Sequence, residues 1–302
     1  MKVHDNATRT IARALLLAGL GVVGFSGSFP ATRVAVEGFG ATEVAFGRAL
    51  LAATLSALVL AARRARRPPR EAWLGLGLVT LGVVLAFPLL SSAALARVDA
   101  SHAAVVIALL PLATSLLAVW RNGERPHPRF WLAASAGALL VLGFVIRDPN
   151  VGVPDLWLAL AILAGAVGYA EGARLTARMP ALEVIAWANL LGAPVALIGL
   201  LAFGEVPTTV SWEASIGLLY LGAISSLGGF ALWYAGLAGA GIARASQLQL
   251  LQPLLTLLWS VWLLGEQAPR DTWPVAIGVV LAVAMATRAS RPAPSALRPS
   301  HA

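Results

Sequence analysis

The stretch PLATSLLAVWRNGE at residues 111–124 returns 142 residues later as PLLTLLWSVWLLGE at residues 253–266. Its proline, threonine, tryptophan, glycine and glutamate positions match without a gap. Matches of alanine and leucine are frequent by chance in so apolar a chain, but these residue types in register are not. The sequence therefore predicts an internal duplication. The similarity is weak towards the start of each copy, where one of the few matches places Glu43 near Glu183.

The composition places the chain in a membrane. Of its 302 residues, 59% are hydrophobic and 12% are charged, and the mean hydropathy is +0.80. A soluble globular protein has about 25% charged residues, so this chain has too few to cover a water-facing surface. These numbers exclude a soluble enzyme, a disordered chain and a secreted disulfide scaffold. The chain has no cysteine, which excludes disulfides, thiolate nucleophiles and cysteine-based zinc sites.

Ten apolar segments are each close to the roughly 20 residues that cross the hydrocarbon core. They predict an all-α membrane protein with ten transmembrane helices, joined by short links rich in Arg, Pro, Gly and Asp. The predicted spans are residues 11–30, 41–62, 72–96, 101–120, 129–146, 154–175, 182–203, 212–238, 243–264 and 271–288.

The basic residues predict the orientation of these spans. With ten spans both termini lie on one side, and 17 of the 22 Lys and Arg residues fall at the termini or in the loops of that side. The other five are Arg33, Arg97, Arg147 and Arg270 on the opposite side and Arg48 just inside the second span. We therefore expect both termini in the cytoplasm, with the basic loops beside anionic lipid headgroups. The net charge of +8 is then a topology signal and implies no nucleic-acid partner.

The duplication predicts two repeats of opposite orientation, because five spans are an odd number. We divide the chain into a first five-helix repeat at residues 1–150, a second, inverted repeat at residues 151–290, and a disordered cytoplasmic tail at residues 291–302. Inverted repeats are typical of secondary transporters, which bind substrate near the midplane between the halves. A purely structural duplication is the alternative.

The motifs resemble those of the drug/metabolite transporter superfamily, in particular its EamA-type ten-helix permeases. The resemblance covers nearly the whole chain, although the first span lacks the family's usual Trp-Gly pair. It implies export of small metabolites through a central cavity in the inner membrane, without a covalent cofactor, and the overall pattern is similar to the bacterial aromatic amino-acid exporter branch. It is carried by residues 24–30 (GFSGSFP), residues 46–52 (FGRALLA) and the paired P–L–T…W–x–x–G–E motifs that end at Glu124 and Glu266.

Two matched prolines are the first candidate site residues. Pro111 and Pro253 lie near the middle of their spans. Proline has no N–H and clashes with the carbonyl four residues back, so the carbonyls of Ile107 and Gln249 lose their helical partner. Such carbonyls are tolerated at membrane depth where protein or a wet cavity surrounds them. We interpret the prolines as paired hinges beside a polar patch for a substrate ammonium group, with a passive kink as the alternative.

Polar and aromatic side chains of several spans complete the candidate binding site. Those of the ninth span share one helical face, and their polar groups either line a cavity or join neighbouring helices. The aromatic residues of the eighth span either form a wall for an apolar side chain or pack in the core. The candidate substrate-binding residues are Ser26, Phe87, Ser91, His102, Ile107, Pro111, Ser226, Phe230, Trp233, Gln249, Gln252, Pro253 and Thr256.

Ionisable residues within the spans are few. Glu171 is expected to pair with Arg174 near the cytoplasmic interface, and Arg48 is expected to reach the outer headgroups. His102 opens the fourth span, where Asp99 is placed to cap the helix. No carboxylate is predicted near the midplane, which disfavours exchange of protons for a cationic drug.

The sequence predicts a transporter rather than an enzyme. It contains no metal-binding cluster and no phosphate-binding loop, so no cofactor is expected. We predict alternating-access export of amino acids, including apolar and aromatic ones. A multidrug or nucleoside exporter is the alternative within transport, and an intramembrane structural or assembly protein is the alternative outside it. Small residues of the fifth span, Ala133, Ala134 and Gly137, suit either a homodimer or internal packing.

Overall fold

The structure, a computed structural model, describes residues 2–122, 128–147, 152–205, 207, 210–240 and 248–289. All regular elements in these ranges are helical. We number the membrane spans in chain order. They are span 1 (Lys2–Ser26 and Ser28–Phe39), span 2 (Ala41–Ala62), span 3 (Trp73–Val79, Thr80–Ala86 and Phe87–Leu95), span 4 (Ala100–Ile107 and Leu110–Asn122), span 5 (Pro128–Val145), span 6 (Val153–Leu175), span 7 (Ala181–Phe203), span 8 (Trp212–Tyr220, Leu221–Gly229 and Phe230–Ala240), span 9 (Leu248–Leu251 and Gln252–Leu264) and span 10 (Thr272–Ala289).

The predicted all-α membrane fold with two repeats is confirmed. Among the described residues, seven helical segments are long and apolar enough to cross a bilayer, and three shorter apolar segments fall where spans 4, 9 and 10 were predicted. Span 1 is longer than predicted. Its helix is interrupted at Gly27, resumes at Ser28 and ends at Phe39 instead of near residue 30. The predicted tail at residues 291–302 lies outside the described residues.

Spans 4 and 9 are interrupted just before their matched prolines. In span 4 the backbone N–H groups of Ala108 and Leu109 donate to carbonyls three residues back instead of four. Pro111 lies in the first turn of the helical segment that follows. In span 9 a 3-10 turn at Leu248–Leu251 precedes the segment that Pro253 opens. Proline is tolerated in the first turn of a helix because that N–H has no helical partner.

Spans 3 and 8 each contain a π-helical stretch, at Thr80–Ala86 and Leu221–Gly229. Both stretches occupy matching places in the two repeats. In each span a phenylalanine follows directly, Phe87 in span 3 and Phe230 in span 8. A π turn holds one more residue than an α turn and is frequent at functional sites.

Five of the connections meet on one face of the bundle, which we call the Glu266 face. Glu43, after the turn between spans 1 and 2, accepts a hydrogen bond from the backbone N–H of Glu205, after span 7. Arg147, after span 5, lies 4.0 Å from Asp271, before span 10. Glu266 itself contacts the start of span 4. The chain therefore crosses the layer once per span, and repeats of five spans have opposite orientation.

Large apolar side chains cover the outside of the bundle. Leu74, Leu201 and Phe203 are each at least 75% exposed. In water such exposure would be costly, but in a bilayer these side chains meet hydrocarbon of the same polarity. The outer surface thus agrees with the hydropathy of the sequence.

The two repeats approach each other closely at glycines. Gly21 of span 1 faces the backbone of Gly229 and Trp233 in span 8, where an added Cβ would lie 2.9 Å from two backbone atoms. Gly82 of span 3 faces Ala164 and Gly168 of span 6 in the same way. Small residues allow membrane helices to pack backbone to backbone.

Spans 5 and 10 pack on each other at the edge of the bundle. Ala133 and Ala134 are buried within the chain, and a Cβ on Gly137 would lie 3.3 Å from the Cβ of Ala282. Of the two alternatives for these small residues, the chain shows internal packing.

We predict that Gly82→Ala destabilises the protein. The added Cβ would overlap the carbonyl oxygen of Ala164, so spans 3 and 6 must separate. Overpacking of this kind costs about 1–3 kcal/mol. The midpoint of thermal unfolding in detergent should fall.

Gly77→Ala is the matched control, because a Cβ at Gly77 meets nothing within 4 Å. There the substitution only restricts the unfolded chain, which stabilises by about 0.4–1 kcal/mol. Equal midpoints for the two variants would contradict close packing at Gly82.

Candidate functional site

A small cavity lies at the centre of the bundle, between the two repeats. The space left in it is about 30 Å³, enough for about two water molecules. A guest the size of an amino acid therefore requires the surrounding side chains to move apart. The cavity is lined by Phe25, Ser28, Phe29, Arg48, Val83 and Phe87 of the first repeat and by Tyr169, Ser225, Phe230 and Gln252 of the second.

Aromatic rings from both repeats surround Phe230. Its ring centroid lies 4.6 Å from that of Phe25 and 5.6 Å from that of Tyr169, the latter pair edge to face. Phe87 stacks on Phe29 on another side of the cavity, with centroids 6.4 Å apart. Such ring pairs contribute about 0.5–1.5 kcal/mol beyond burial. The wall suits an apolar or aromatic group and also holds the repeats together.

Arg48 lies in this cavity and not among the headgroups. The expectation that its side chain reaches the outer interface is wrong, because the side chain is 5% exposed and points between the repeats. Its Nε donates to the hydroxyl of Ser226 at 3.1 Å, and its Nη2 donates to the hydroxyls of Ser225 and Ser226 at 2.9 and 3.0 Å. Span 2 supplies the guanidinium, and the π-helical stretch of span 8 supplies both acceptors.

Sequence reasoning missed Arg48 because it considered depth along the span and not the face of the helix. Arg48, Ala52 and Ser56 follow one another at intervals of four and lie on one stripe. All three are buried. A charged residue on a stripe of small buried residues is typical of a site inside a membrane bundle.

The polar network continues from Arg48 into both repeats. The hydroxyl of Ser225 lies 2.7 Å from that of Ser28 in span 1. The Nδ2 of Asn189 in span 7 donates to the carbonyl of Ser226 and to the hydroxyl of Ser56. Spans 1, 2, 7 and 8 are thus joined by hydrogen bonds at one level.

Two buried amides at the start of span 9 have atoms with no hydrogen-bond partner among the described residues. They are the Oε1 of Gln252, which lines the cavity, and the Nε2 of Gln249. An unsatisfied amide in hydrocarbon costs several kcal/mol. Both groups are therefore suited to bind a guest or water.

Ser26 and Thr256, both predicted site residues, bind each other's spans. The hydroxyl of Thr256 donates to the carbonyl of Ser26, and the Nε1 of Trp259 donates to the Ser26 hydroxyl, both at 2.9 Å. The Ser26 hydroxyl also donates to the carbonyl of Val23. These contacts place the two residues beside the cavity, between spans 1 and 9.

The other predicted residues divide between the cavity and its surroundings. Phe87, Phe230 and Gln252 line the cavity, and Ser226 holds Arg48 beside it. The remainder are buried but do not line it: Ser91, whose hydroxyl donates to the carbonyl of Pro88, and Ile107, Pro111, Trp233, Gln249 and Pro253.

His102 lies at the Glu266 face and not in the cavity. Its Nε2 is 2.8 Å from the Oδ1 of Asp155 at the start of span 6. Glu266 accepts hydrogen bonds from the backbone N–H groups of Ala100 and Ser101, at 2.9 and 2.8 Å. Each contact joins the first repeat to the second, so carboxylates close this face.

The Gly-Glu motif explains how Glu266 reaches span 4. Gly265 has φ +66° and ends span 9 in the left-handed conformation that favours glycine. Glu266 then meets the positive end of the span 4 helix. Asp99 precedes that helix as predicted, but its side chain makes no capping hydrogen bond, so Glu266 takes the role. The matching Glu124 lies outside the described residues.

The predicted pair of Glu171 with Arg174 is confirmed. The Arg174 Nη2 lies 2.7 Å from the Glu171 Oε2, and Glu171 is 1% exposed. Within the described ranges, no group of three or more His, Asp or Glu side chains is placed to hold a metal ion.

A larger apolar crevice, about 520 Å³, opens on the side of the bundle between spans 1, 8 and 9. Two polar groups at its wall are already bonded: the Tyr220 hydroxyl donates to the carbonyl of Gly24, and the Nε1 of Trp259 donates to the hydroxyl of Ser26. Apart from Glu213, the rest of the lining is mostly apolar and suits lipid chains.

Comparison with known proteins supports this architecture. The chain is 41% identical over 274 residues to an uncharacterized transporter, YdeK, of Bacillus subtilis strain 168, covering 89% of this chain and 95% of that protein. It is 28% identical over 266 residues to a probable terminal-alkyne amino-acid exporter of Streptantibioticus cattleyicolor, covering 86% of this chain and 88% of that protein. A crystal structure aligns with a TM-score of 0.64 at 21% identity, over 91% of this chain and 98% of that chain, and so shares the fold.

The model of the EamA-like transporter family matches twice, at residues 12–146 and at residues 153–288. The two matches together cover most of the chain and confirm the resemblance seen in the sequence. The chain belongs to the EamA-like transporter family.

Proposed function

We propose that this transporter exports amino acids with apolar or aromatic side chains. The observation that carries the proposal is the central cavity, where rings of both repeats surround one polar cluster. The rings of Phe25, Phe87 and Phe230 suit an apolar side chain. The hydroxyls, amides and guanidinium suit the polar end of the same molecule.

Alternating access is the mechanism that agrees with the contacts. The Glu266 face is closed by carboxylates that join the repeats, and the cavity is collapsed around its rings. Release of these contacts would let the repeats separate on that face. The interrupted spans 4 and 9 offer places where the backbone can bend without losing a helical N–H bond at the proline.

The name of one relative favours the same substrate class. The protein of Streptantibioticus cattleyicolor is described as a probable exporter of an amino acid. The identity of 28% supports the class only, and the side chain is inferred from the cavity.

A multidrug exporter of cations is the second candidate within transport. Among the described residues, the cavity lining contains no carboxylate, and it contains an arginine. A cationic drug would meet repulsion there, which favours amino acids. Nucleosides offer rings but no charge to match Arg48.

We predict that the purified protein in liposomes moves labelled L-phenylalanine faster than protein-free liposomes do. Phe230→Ala should raise the half-saturating concentration about tenfold, because a buried ring contact is lost. Phe203→Ala is the matched control, since Phe203 is 75% exposed on the lipid-facing surface.

Other results would redirect the assignment. Flux of a cationic dye without flux of any amino acid would support the hypothesis of a multidrug exporter. No flux of any solute in protein of normal stability would support a structural or assembly role.

We predict that Pro253→Ala slows transport severalfold while thermal stability and substrate affinity change little. Alanine restores the missing N–H and stiffens span 9. Pro194→Ala is the control, because Pro194 lies within the span 7 helix with no matching proline in the first repeat. Wild-type rates for Pro253→Ala would exclude the hinge.

We also propose that the Glu266 face is the outer face of the inner membrane, with both termini cytoplasmic. The charge bias of the loops carries this orientation. The chain has no cysteine, so single cysteines report it without background. A membrane-impermeant maleimide should label Gln267→Cys in intact spheroplasts and label Arg66→Cys only after permeabilisation. The reverse pattern would invert the assignment.

A further inference from the structure

We propose that Arg48 binds the carboxylate of the transported molecule, so that a carboxylate is required for binding and an amino group is not. This inference rests on the proposed use of the central cavity for substrate. It extends that proposal by naming the group that the guanidinium recognises.

No described residue compensates the charge of Arg48. No carboxylate of the described residues lies within ion-pair distance of its guanidinium, and its hydrogen bonds there all end on serine hydroxyls. A buried cation without a counter-ion is costly in a membrane bundle and marks an ion or substrate site. An anionic guest would supply the missing charge.

The guanidinium also has donors to spare. It carries five N–H groups, and the bonds to Ser225 and Ser226 use Nε and Nη2. The Nη1 group donates to none of the described residues, while Arg48 lines the cavity. A carboxylate accepts such hydrogen bonds readily, and the charge-assisted bonds are about twice as strong as neutral ones.

A scaffold role alone does not explain an arginine at this position. Asn189 of span 7 already donates to the hydroxyl of Ser56 in span 2 and to the carbonyl of Ser226 in span 8, and Ser225 already bonds to Ser28. Neutral side chains therefore connect the same spans without a buried charge. Fixed by two serines, the guanidinium is held in one orientation, as a binding group requires.

The other polar group of the cavity fits a weaker contact. The Oε1 of Gln252 is buried without a partner among the described residues and can accept a hydrogen bond from an ammonium group. It carries no formal charge, so its contribution is smaller than that of Arg48. The ammonium group should therefore tune affinity, whereas the carboxylate determines it.

Four small molecules separate the two contributions. They share one ring and chain length and differ only in the presence of a carboxylate and of an amino group: L-phenylalanine, L-phenylalaninamide, 3-phenylpropionate and 3-phenylpropionamide. The measurement is the concentration of each compound that gives half of its maximal rise in the unfolding temperature of the purified full-length protein in detergent. Both carboxylates should stabilise the wild type, and both amides should do so about 10- to 100-fold more weakly.

Variants assign the carboxylate effect to Arg48. Arg48→Gln should weaken both carboxylates about 10- to 100-fold and leave 3-phenylpropionamide unchanged. Arg67→Gln makes the same charge change at an exposed position, and it should alter the binding of neither carboxylate. If Arg48→Gln does not fold, Arg48→Lys carries the test: it keeps the charge but loses the planar fork, and it should weaken the carboxylates about tenfold.

Several results would overturn the inference. Equal shifts by acids and amides, no shift by either acid, or wild-type carboxylate affinity in the folded Arg48 variant would each do so. Stabilisation by 3-phenylpropionate but not by L-phenylalanine would support Arg48 as the carboxylate anchor and refute the amino-acid proposal. The two proposals therefore fail separately.

Discussion

The need to satisfy every backbone hydrogen bond in hydrocarbon governs this structure. A helix can depart from its regular pattern only where protein surrounds it. Four departures occur in spans 3, 4, 8 and 9: the interruptions before Pro111 and Pro253, and the π-helical stretches at Thr80–Ala86 and Leu221–Gly229. All four belong to spans that pack against spans of the other repeat. The lipid-facing spans 5 and 10, by contrast, are uninterrupted over their described lengths. The irregular backbone of spans 3 and 8 brings Phe87, Ser225 and Phe230 to one cavity.

Polar groups in that centre depend on contact between the repeats. Arg48 belongs to the first repeat, whereas Ser225 and Ser226 belong to the second, so neither repeat alone satisfies the guanidinium. Glycines make the approach close enough: Gly82 and Gly168 face each other between spans 3 and 6, and Gly21 faces span 8. The rings around Phe230 fill the remaining space. Packing and polar recognition therefore occupy the same interface, and a movement that opens the cavity must disturb both.

The sequence predicts the fold well because hydropathy and the repeat are local signals. Each span is recognisable from its own residues, and the matched prolines Pro111 and Pro253 mark where spans 4 and 9 are interrupted. The site is harder, because it depends on which face of each helix turns inward. The position of Arg48 near the start of span 2 suggests the membrane interface, although Ala52 and Ser56 on the same helical face indicate the interior of the bundle. The Gly-Glu motif was visible, but its contact with Ala100 and Ser101 joins residues 165 or more positions apart. Asp99, the nearer carboxylate, was the natural choice for that helix end, and no local pattern predicts that a distant glutamate replaces it.

The guanidinium also breaks the symmetry of the bundle. At the shift that places Glu43 on Glu183, Arg48 falls on Ala188, so the second repeat has no cation at the matching position. A pocket with true twofold symmetry would accept a passenger in two equivalent poses related by that axis. Here only one pose brings a charged head to its partner. A substrate with one charged end would therefore keep a single orientation while it crosses the membrane. Its path from one face to the other would be asymmetric, even though the protein consists of two repeats of one fold.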